Sequence, residues 1–270
     1  MQKVIVITGP TGVGKTKLSV LLAKYLNTEI INGDAYQIYK DMNIGTAKPT
    51  IEEMNGIKHH LMDFLSPLSN FSIHDYQILV RNKISELWDN SRIPIIVGGS
   101  GLYIDSVLYD YRFEDSGRNI EDEKKYDHLD NIELHKILES LDIESANKIH
   151  PNNRKRVLRA IELANNNISN EERNLKNNPM YDFLLIFLND DREVLYERIN
   201  DRVDIMIENG ALAEIEKLLN KNIAEDMPVM KAIGVPELKK YIEGKVSEDE
   251  AVNEAKLRTR QYAKRQLTWF

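Results

Sequence analysis

Apolar residues along this chain fall into two patterns. Short strand-like runs lie at Val4 to Ile7, Glu29 to Asn32, Ile93 to Val97 and Tyr181 to Asn189. The last contains the longest unbroken run, Phe183-Leu184-Leu185-Ile186-Phe187-Leu188. Elsewhere apolar positions recur at helical spacing, as with Leu18, Leu21, Leu22 and Tyr25 on one side of Lys17 to Leu26. Continuous apolar runs alternating with helices predict a parallel sheet covered on both faces. Ile73 to Asn90, Asn131 to Leu141, Asn153 to Ala164 and Asp191 to Leu219 read as helices, the last broken near Gly210. Ser247-x-x-Glu250 is a capping-box pattern opening a final helix that runs to the end.

The alternation lapses in the middle of the chain. Residues 110–130 carry eight acidic side chains against four basic ones, which marks an exit from the sheet. Asn165-Asn166-Asn167 to Asn178-Pro179 reads as an Asn-rich, loop-like return. The expected organisation is therefore an α/β core over 1–110 and 180–270, with a helical insertion over 111–179. A chain of 270 residues with 42% hydrophobic and 29% charged residues excludes disorder over most of its length. No run approaches the roughly 18 to 20 apolar residues that span a bilayer, so no membrane partner is expected. The N-terminus enters a strand directly and has no signal-peptide layout, which predicts a cytoplasmic protein. Cysteine is absent, and with it disulfides, thiolate metal sites and cysteine nucleophiles. A net charge of −7 argues against a surface coated in nucleic acid but leaves room for a local basic face.

Gly9-Pro10-Thr11-Gly12-Val13-Gly14-Lys15-Thr16 fits G-x-x-x-x-G-K-[ST], the phosphate-binding loop, with a strand before it and a helix after it. Converging amides and the helix N-terminus hold phosphate oxygens, Lys15 adds a charge, and Thr16 can take Mg²⁺ or a phosphate oxygen. The motif specifies a diphosphate or polyphosphate, not ATP. Asp34 follows the second strand, near the loop in an open α/β sheet, and suits a general base, a water-mediated Mg²⁺ contact or a plain turn. The third strand ends in Gly98-Gly99 where an NTPase often carries its Mg²⁺-holding aspartate, which makes an ordinary ATPase or GTPase less fitting. Glycines there predict close approach of something flat or bulky. Arg198 and Arg202 are four apart on one helix; they suit a clamp over a diphosphate, or a salt-bridged face with Glu197, Asp201 and Asp204. Arg154-Lys155-Arg156-x-x-Arg159 and the set Lys256, Arg258, Arg260, Lys264 and Arg265 form two basic clusters, each a polyanion-binding face or a solvated one. Tyr262, Trp269 and Phe270 near the second suit stacked bases or internal packing. His59-His60 has the wrong spacing for a metal pair.

Taken in order, these segments resemble the tRNA dimethylallyltransferase (isopentenyltransferase) family over essentially the whole chain. The resemblance rests on Gly9 through Thr16, Gly33-Asp34-x-x-Gln37-Ile38-Tyr39, Asn43-Ile44-Gly45-Thr46-Ala47-Lys48-Pro49 and His59-His60-Leu61-Met62-Asp63. It continues through Gly98-Gly99-Ser100-Gly101-Leu102-Tyr103, Ile149-His150-Pro151-Asn152-Asn153-Arg154, Ala232-Ile233-Gly234 and Tyr262-Ala263-Lys264-Arg265-Gln266-Leu267-Thr268-Trp269. It implies a P-loop kinase-like parallel sheet flanked by helices, with a helical insertion that grips a tRNA anticodon stem-loop. The implied reaction moves a dimethylallyl group from dimethylallyl diphosphate to N6 of the adenosine 3′ of the anticodon, with Mg²⁺, in an expected monomer. Asp34 is then the base, and Thr16 contacts the oxygen bridging prenyl group and diphosphate. Gly9, Thr11, Gly12, Val13, Gly14, Lys15 and Thr16 hold the diphosphate. Asp34, Ala35, Tyr36 and Gln37, Ser100, and Lys155, Arg156, Val157, Leu158 and Arg159 match segments that contact tRNA.

The chain departs from the family pattern at several points. Ala35 stands where serine is usual, Ser100 where threonine is commoner, and Val235-Pro236 where Tyr-Lys or Tyr-Arg is usual. Family members typically continue past the position of Phe270 with a final strand and helix, so the expectation is a naturally short or truncated member. Two other functions fit parts of the pattern: a P-loop small-molecule phosphotransferase, and a non-catalytic tRNA-binding relative.

Overall fold

The computed structural model describes residues 1–111, 113, 124–166 and 174–270. In chain order its elements are β1 (Lys3–Thr8), α1 (Lys15–Leu26), β2 (Ile30–Asn32), α2 (Ile51–Met54), β3 (His59–His60), α3 (Ile73–Asp89), β4 (Ile95–Val97) and α4 (Gly101–Leu108). Then come β5 (Tyr109–Tyr111), α5 (Asn131–Leu141), α6 (Ile143–Lys148), α7 (Arg154–Asn165), β6 (Asn174–Pro179) and β7 (Asp182–Phe187). The chain ends with α8 (Arg192–Glu208), α9 (Ala211–Leu219), a 3₁₀ turn at Pro228–Lys231, α10 (Val235–Ile242) and α11 (Glu248–Trp269). Two compact units result: residues 1–108 with 180–270, and residues 109–179.

The first unit is built on a five-stranded parallel sheet in the order β3-β2-β4-β1-β7. Ile5 on β1 stands opposite Ile95 on β4 and Leu184 on β7. Ile7, Val20, Ala23, Ile30 and Ile95 form a buried cluster between sheet and α1. A second cluster, including Ile38, Tyr39, Met42, Ile215, Leu218 and Leu238, lies among the helices of the C-terminal part. Gly210, at φ +97°, separates α8 from α9 as the expected break. Ser247 and Glu250 form the capping box at the start of α11. Among the described residues, no helix is long and apolar enough to cross a membrane.

One expectation about this sheet is corrected. The most apolar strand, β7, is an edge strand, and Leu184 and Leu185 are 59% and 40% exposed. An unbroken apolar run reports side-chain chemistry, whereas burial depends on the number of neighbours, and among the described residues β7 pairs only with β1.

The second unit pairs β5 with β6 in an antiparallel ribbon and packs α5, α6 and α7 around Leu134, Leu138, Val157 and Ile161. The Asn-rich return is therefore not wholly a loop. Asn174 and Leu175 pair with Tyr111 and Asp110 through backbone groups, which are indifferent to the polarity of the side chains. The rest of that return, residues 167–173, and most of the acidic stretch, residues 112 and 114–123, lie outside the described residues.

Candidate active site

The phosphate-binding loop connects β1 to α1. Gly14 adopts the left-handed conformation at φ 95° and lets the helix begin at Lys15. Gly9 is required by packing: a Cβ there would lie 2.2 Å from the carbonyl oxygen of Leu188. Lys15 Nζ folds back over the loop and donates to the carbonyls of Gly9 and Pro10, each at 2.8 Å. Burial pulls its pKa down from 10.5 to about 8, against the pull of nearby Asp34.

Asp34 follows β2 in a turn held by Asn32. Asn32 Oδ1 accepts from the Asp34 amide at 3.0 Å, and its side-chain amide donates to the carbonyls of Asp34 and Leu61. Asp34 Oδ1 accepts from the amides of Tyr36 and Gln37 at 2.8 and 3.3 Å. Both bonds fall on the same oxygen, so the carboxylate has a fixed orientation. Burial pushes its pKa up, and the two amides, Lys15 and Arg202 only partly counter this. The other residues of the turn are engaged within the protein. The Ala35 amide donates to Ser100 Oγ at 3.1 Å, Tyr36 Oη to the Lys231 carbonyl at 3.2 Å, and Gln37 Nε2 to the carbonyls of Thr46 and Ala47.

The glycines after β4 do not wait for a ligand. A Cβ on Gly98 would lie 2.1 Å from the Gly33 carbonyl oxygen, one on Gly99 2.0 Å from Gln266 Nε2, and one on Gly101 2.4 Å from the Trp269 ring. The bulky groups that approach belong to the neighbouring turn and to α11. Gln266 Oε1 accepts from the Thr11 amide at 2.9 Å, and Gln266 Nε2 donates to the Gly99 carbonyl at 3.1 Å. One buried side chain thus ties the phosphate loop to the turn after β4. Tyr262, one helical turn earlier, brings its hydroxyl to 3.4 Å from Ser100 Oγ, and Trp269 Nε1 donates to Asp105 Oδ2 at 3.0 Å. Both aromatics are thus engaged by residues of this chain, with Tyr262 lining the cavities described next and Trp269 46% exposed.

Two adjoining cavities meet at this point. The larger, about 400 Å³, is lined by Thr11, Gly12, Gly14, Lys15, Thr16, Asp34, Glu53, Gln266 and both Arg198 and Arg202. The smaller, about 120 Å³, has mostly apolar walls from α8, α9, α10 and α11. Thr11, Asp34, Thr46, Ala47, Arg202 and Tyr262 line both. Arg198 and Arg202 therefore share a cavity with Lys15, as a clamp requires. Arg198 also pairs with Asp190 at 2.8 Å, not with the acids of its own helix, and Arg202 donates to the Ala47 carbonyl at 3.4 Å. In the sequence the Thr46–Ala47 loop is only part of the family pattern, and nothing marks its anchor. Glu214 accepts from the amides of Asn43, Ile44 and Gly45 at 2.7, 2.9 and 2.8 Å. No sequence signal links Glu214 to a loop so far away along the chain.

Thr16, Asp34 and Glu53 bring hard oxygen donors to the larger cavity. Among the described residues there is no group of three or more His, Cys, Asp or Glu placed to hold a metal ion. Such a donor set suits an ion shared with phosphate oxygens. His59 and His60 are structural: His59 Nδ1 contacts the Ile57 carbonyl at 2.9 Å, and His60 Nε2 contacts Glu29 at 2.5 Å.

In the second unit, α7 presents its cations unevenly. Lys155 and Arg156 are exposed, whereas Val157 and Leu158 are buried and take part in the core. The helical period that turns Lys155 and Arg156 outward turns the next two side chains inward, into the core of this unit. Arg154 donates to the carbonyls of Tyr126 and Leu129, and Arg159 pairs with Glu162. The C-terminal cluster is largely used internally. Lys256 pairs with Asp204, Arg258 with Glu254, and Arg260 bonds Asn200.

The IPP transferase family model matches residues 37–270. The tRNA dimethylallyltransferase of Bacillus velezensis is 50% identical over 276 residues, covering all of this chain and 88% of that protein. The Bacillus subtilis tRNA dimethylallyltransferase is 48% identical with the same coverage. Among solved structures, the tRNA delta(2)-isopentenylpyrophosphate transferase of Staphylococcus epidermidis is 45% identical, with a TM-score of 0.74, over 100% of this chain and 90% of that one. A eukaryotic dimethylallyltransferase solved acting on tRNA is 32% identical, with a TM-score of 0.85, over 100% of this chain and 70% of that one.

Proposed function

The chain belongs to the IPP transferase family, and on that premise we propose that it transfers a dimethylallyl group from dimethylallyl diphosphate to N6 of the adenosine 3′ of a tRNA anticodon. The observation that carries this reading is the meeting of two cavities at Asp34 and Thr11, one lined by the phosphate loop and one by apolar side chains. A prenyl diphosphate has the same two halves. The carbon to be transferred then lies where Asp34 lies.

In the reaction the bond from the prenyl carbon to the diphosphate oxygen breaks, and its electron pair leaves with the diphosphate. The N6 lone pair forms the new bond, and the amine proton goes to Asp34. The loop amides, Lys15, Arg198 and Arg202 stabilise the charge gathering on the leaving group. N6 is a weak nucleophile because its lone pair is delocalised into the ring, so a positioned base contributes most as the bond forms. The raised pKa of Asp34 makes it a stronger proton acceptor than an ordinary carboxylate. Thr16, together with diphosphate oxygens, would hold Mg²⁺, which supplies further charge neutralisation when bound. In the second unit, Lys155 and Arg156 suit contacts to an RNA backbone.

Incubation with dimethylallyl diphosphate, Mg²⁺ and bulk tRNA, followed by mass spectrometry of the nucleosides, tests the reading. The expected product is adenosine heavier by one dimethylallyl group. ATP hydrolysis without any prenylated nucleoside would favour a phosphotransferase instead.

A further inference from the structure

The turn from Asn43 to Lys48 meets the site through its backbone. Gln37 Nε2 donates to the carbonyls of Thr46 and Ala47, each at 3.1 Å, and Arg202 donates to the Ala47 carbonyl at 3.4 Å. Thr46, Ala47 and Arg202 line both cavities. One carbonyl thus serves the guanidinium of Arg202 and the side chain of Gln37, whose own amide donates to Asp34. It is presented by strained backbone. Ala47 has φ +50°, in the left-handed region, which a residue with a Cβ holds only where its surroundings over-determine it.

The turn supplies part of that constraint itself. The Ala47 amide donates to the Ile44 carbonyl at 2.9 Å, the Lys48 amide to the Asn43 carbonyl at 3.0 Å, and Lys48 Nζ to Asn43 Oδ1 at 2.9 Å. These bonds close the turn on itself but do not fix where it stands relative to α8. That anchor comes from α9. Glu214 Oε2 takes the amides of Asn43 and Ile44, and Oε1 takes that of Gly45. A carboxylate suits three donors because both its oxygens accept and its charge strengthens each bond. A Cβ on Gly45 would stand 3.3 Å from Glu214 Oε1, so the approach leaves little room for a side chain. Ile215 and Leu218 bury α9 in the core, which gives Glu214 a rigid base.

We propose that Glu214 is a positioning residue for the transfer reaction: by holding the Asn43–Gly45 amides it fixes the Ala47 carbonyl, and through that carbonyl it sets Arg202 beside the diphosphate. This rests on the proposed function, in which Arg202 stabilises the leaving group. Glu214 itself lines neither cavity, so its effect on a ligand passes through the turn.

The test is a double-mutant cycle of Glu214→Gln and Arg202→Ala, read by calorimetry with inorganic pyrophosphate and by thermal melting. Glu214→Gln keeps the size of the side chain, but a carboxamide accepts through one oxygen only and turns its NH₂ towards at least one of the three amides. Arg202→Ala is expected to weaken pyrophosphate binding by roughly tenfold or more, and Glu214→Gln by roughly fivefold. The double variant is expected to match Arg202→Ala within about twofold, because Glu214 has nothing left to position. Transfer from dimethylallyl diphosphate to tRNA is expected to fall in Glu214→Gln alongside pyrophosphate affinity. The proposal is overturned if folded Glu214→Gln binds pyrophosphate as the wild type does, or if the two single losses multiply in the double variant. Should Glu214→Gln not fold, Glu214→Asp, with both acceptor oxygens on an arm one methylene shorter, takes its place in the same cycle. Loss of folding in both would make Glu214 a purely structural residue and overturn the proposal too. If the wild-type protein transfers the dimethylallyl group but Arg202→Ala binds pyrophosphate normally, the positioning role falls while the function stands. A wild-type protein that transfers no dimethylallyl group would sink the functional reading itself.

Discussion

At Asp34 and Lys15, one buried cavity moves two ionisable groups in opposite directions, each away from its charged form. Burial raises the pKa of Asp34 and lowers that of Lys15 to about 8. Asp34 must be ionised to accept a proton, so activity falls as pH drops through a value above the ordinary 3.8 of aspartate. Lys15 must be protonated to hold the diphosphate, so donor binding weakens as pH rises through about 8. The expected profile of kcat/KM is a bell with these two limbs. Asp34→Asn keeps an oxygen that accepts from the Tyr36 and Gln37 amides. It is therefore expected to preserve the turn and pyrophosphate binding while lowering turnover by roughly 10²-fold or more. Single-turnover kinetics would check both, and loss of the acid limb in Asp34→Asn is part of the expectation. The phosphate loop and Asp34 are legible in the sequence because their backbone geometry demands particular residues at fixed local spacing. The bonds that orient Asp34 are local too, but Ser100, which holds its neighbour Ala35, comes from a different strand end.

At the scale of elements, α11 works as a latch. Tyr262, Gln266 and Trp269 occupy one stripe and meet the ends of the loops that follow β1 and β4. Gln266→Leu removes both hydrogen bonds and strands the Thr11 amide and Gly99 carbonyl. We expect weaker pyrophosphate binding with a modest loss of stability, of about 1 to 3 kcal/mol for the groups left without partners. Calorimetry and thermal melting separate the two effects. Gly98→Ala acts differently, since its Cβ would meet backbone that cannot move aside. The expected cost is about 1 to 3 kcal/mol or more, read as a lower Tm. The sequence pattern announces close approach at Gly98-Gly99 but not the partner, because pairings between residues so far apart leave no local spacing to read.

At the scale of the whole molecule, the proposed roles fall on separate compact units. The two cavities at Asp34 are lined entirely by the first unit, while Lys155 and Arg156 belong to the second. Lys155→Ala and Arg156→Ala are expected to weaken tRNA binding and to reduce its log–log salt slope by about 0.7 to 0.9 for each phosphate that is no longer neutralised. Pyrophosphate affinity is expected to be unchanged in both. An unaltered slope in the two variants would show that this face of α7 is merely solvated. Val157→Ala tests the other side of the same helix. It is expected to cost stability by opening a cavity in the core, with no change in salt slope in the folded fraction.

The sequence by itself determined the parallel α/β core, the phosphate loop, the position of Asp34 and the family. Each depends on hydrophobic period or on residues at short, fixed spacing. Tertiary structure decided what those patterns could not carry. It made β7 an exposed edge, assigned the glycines after β4 to Gly33, Gln266 and Trp269, and divided the α7 cations between outward and inward uses. It also brought Glu214 to the Asn43–Gly45 loop and set a mostly apolar pocket of about 120 Å³ beside Asp34. The physical reason is common to all of these. Burial, partner and cavity size are set by which surfaces meet when distant segments pack, and such meetings have no periodicity along the chain.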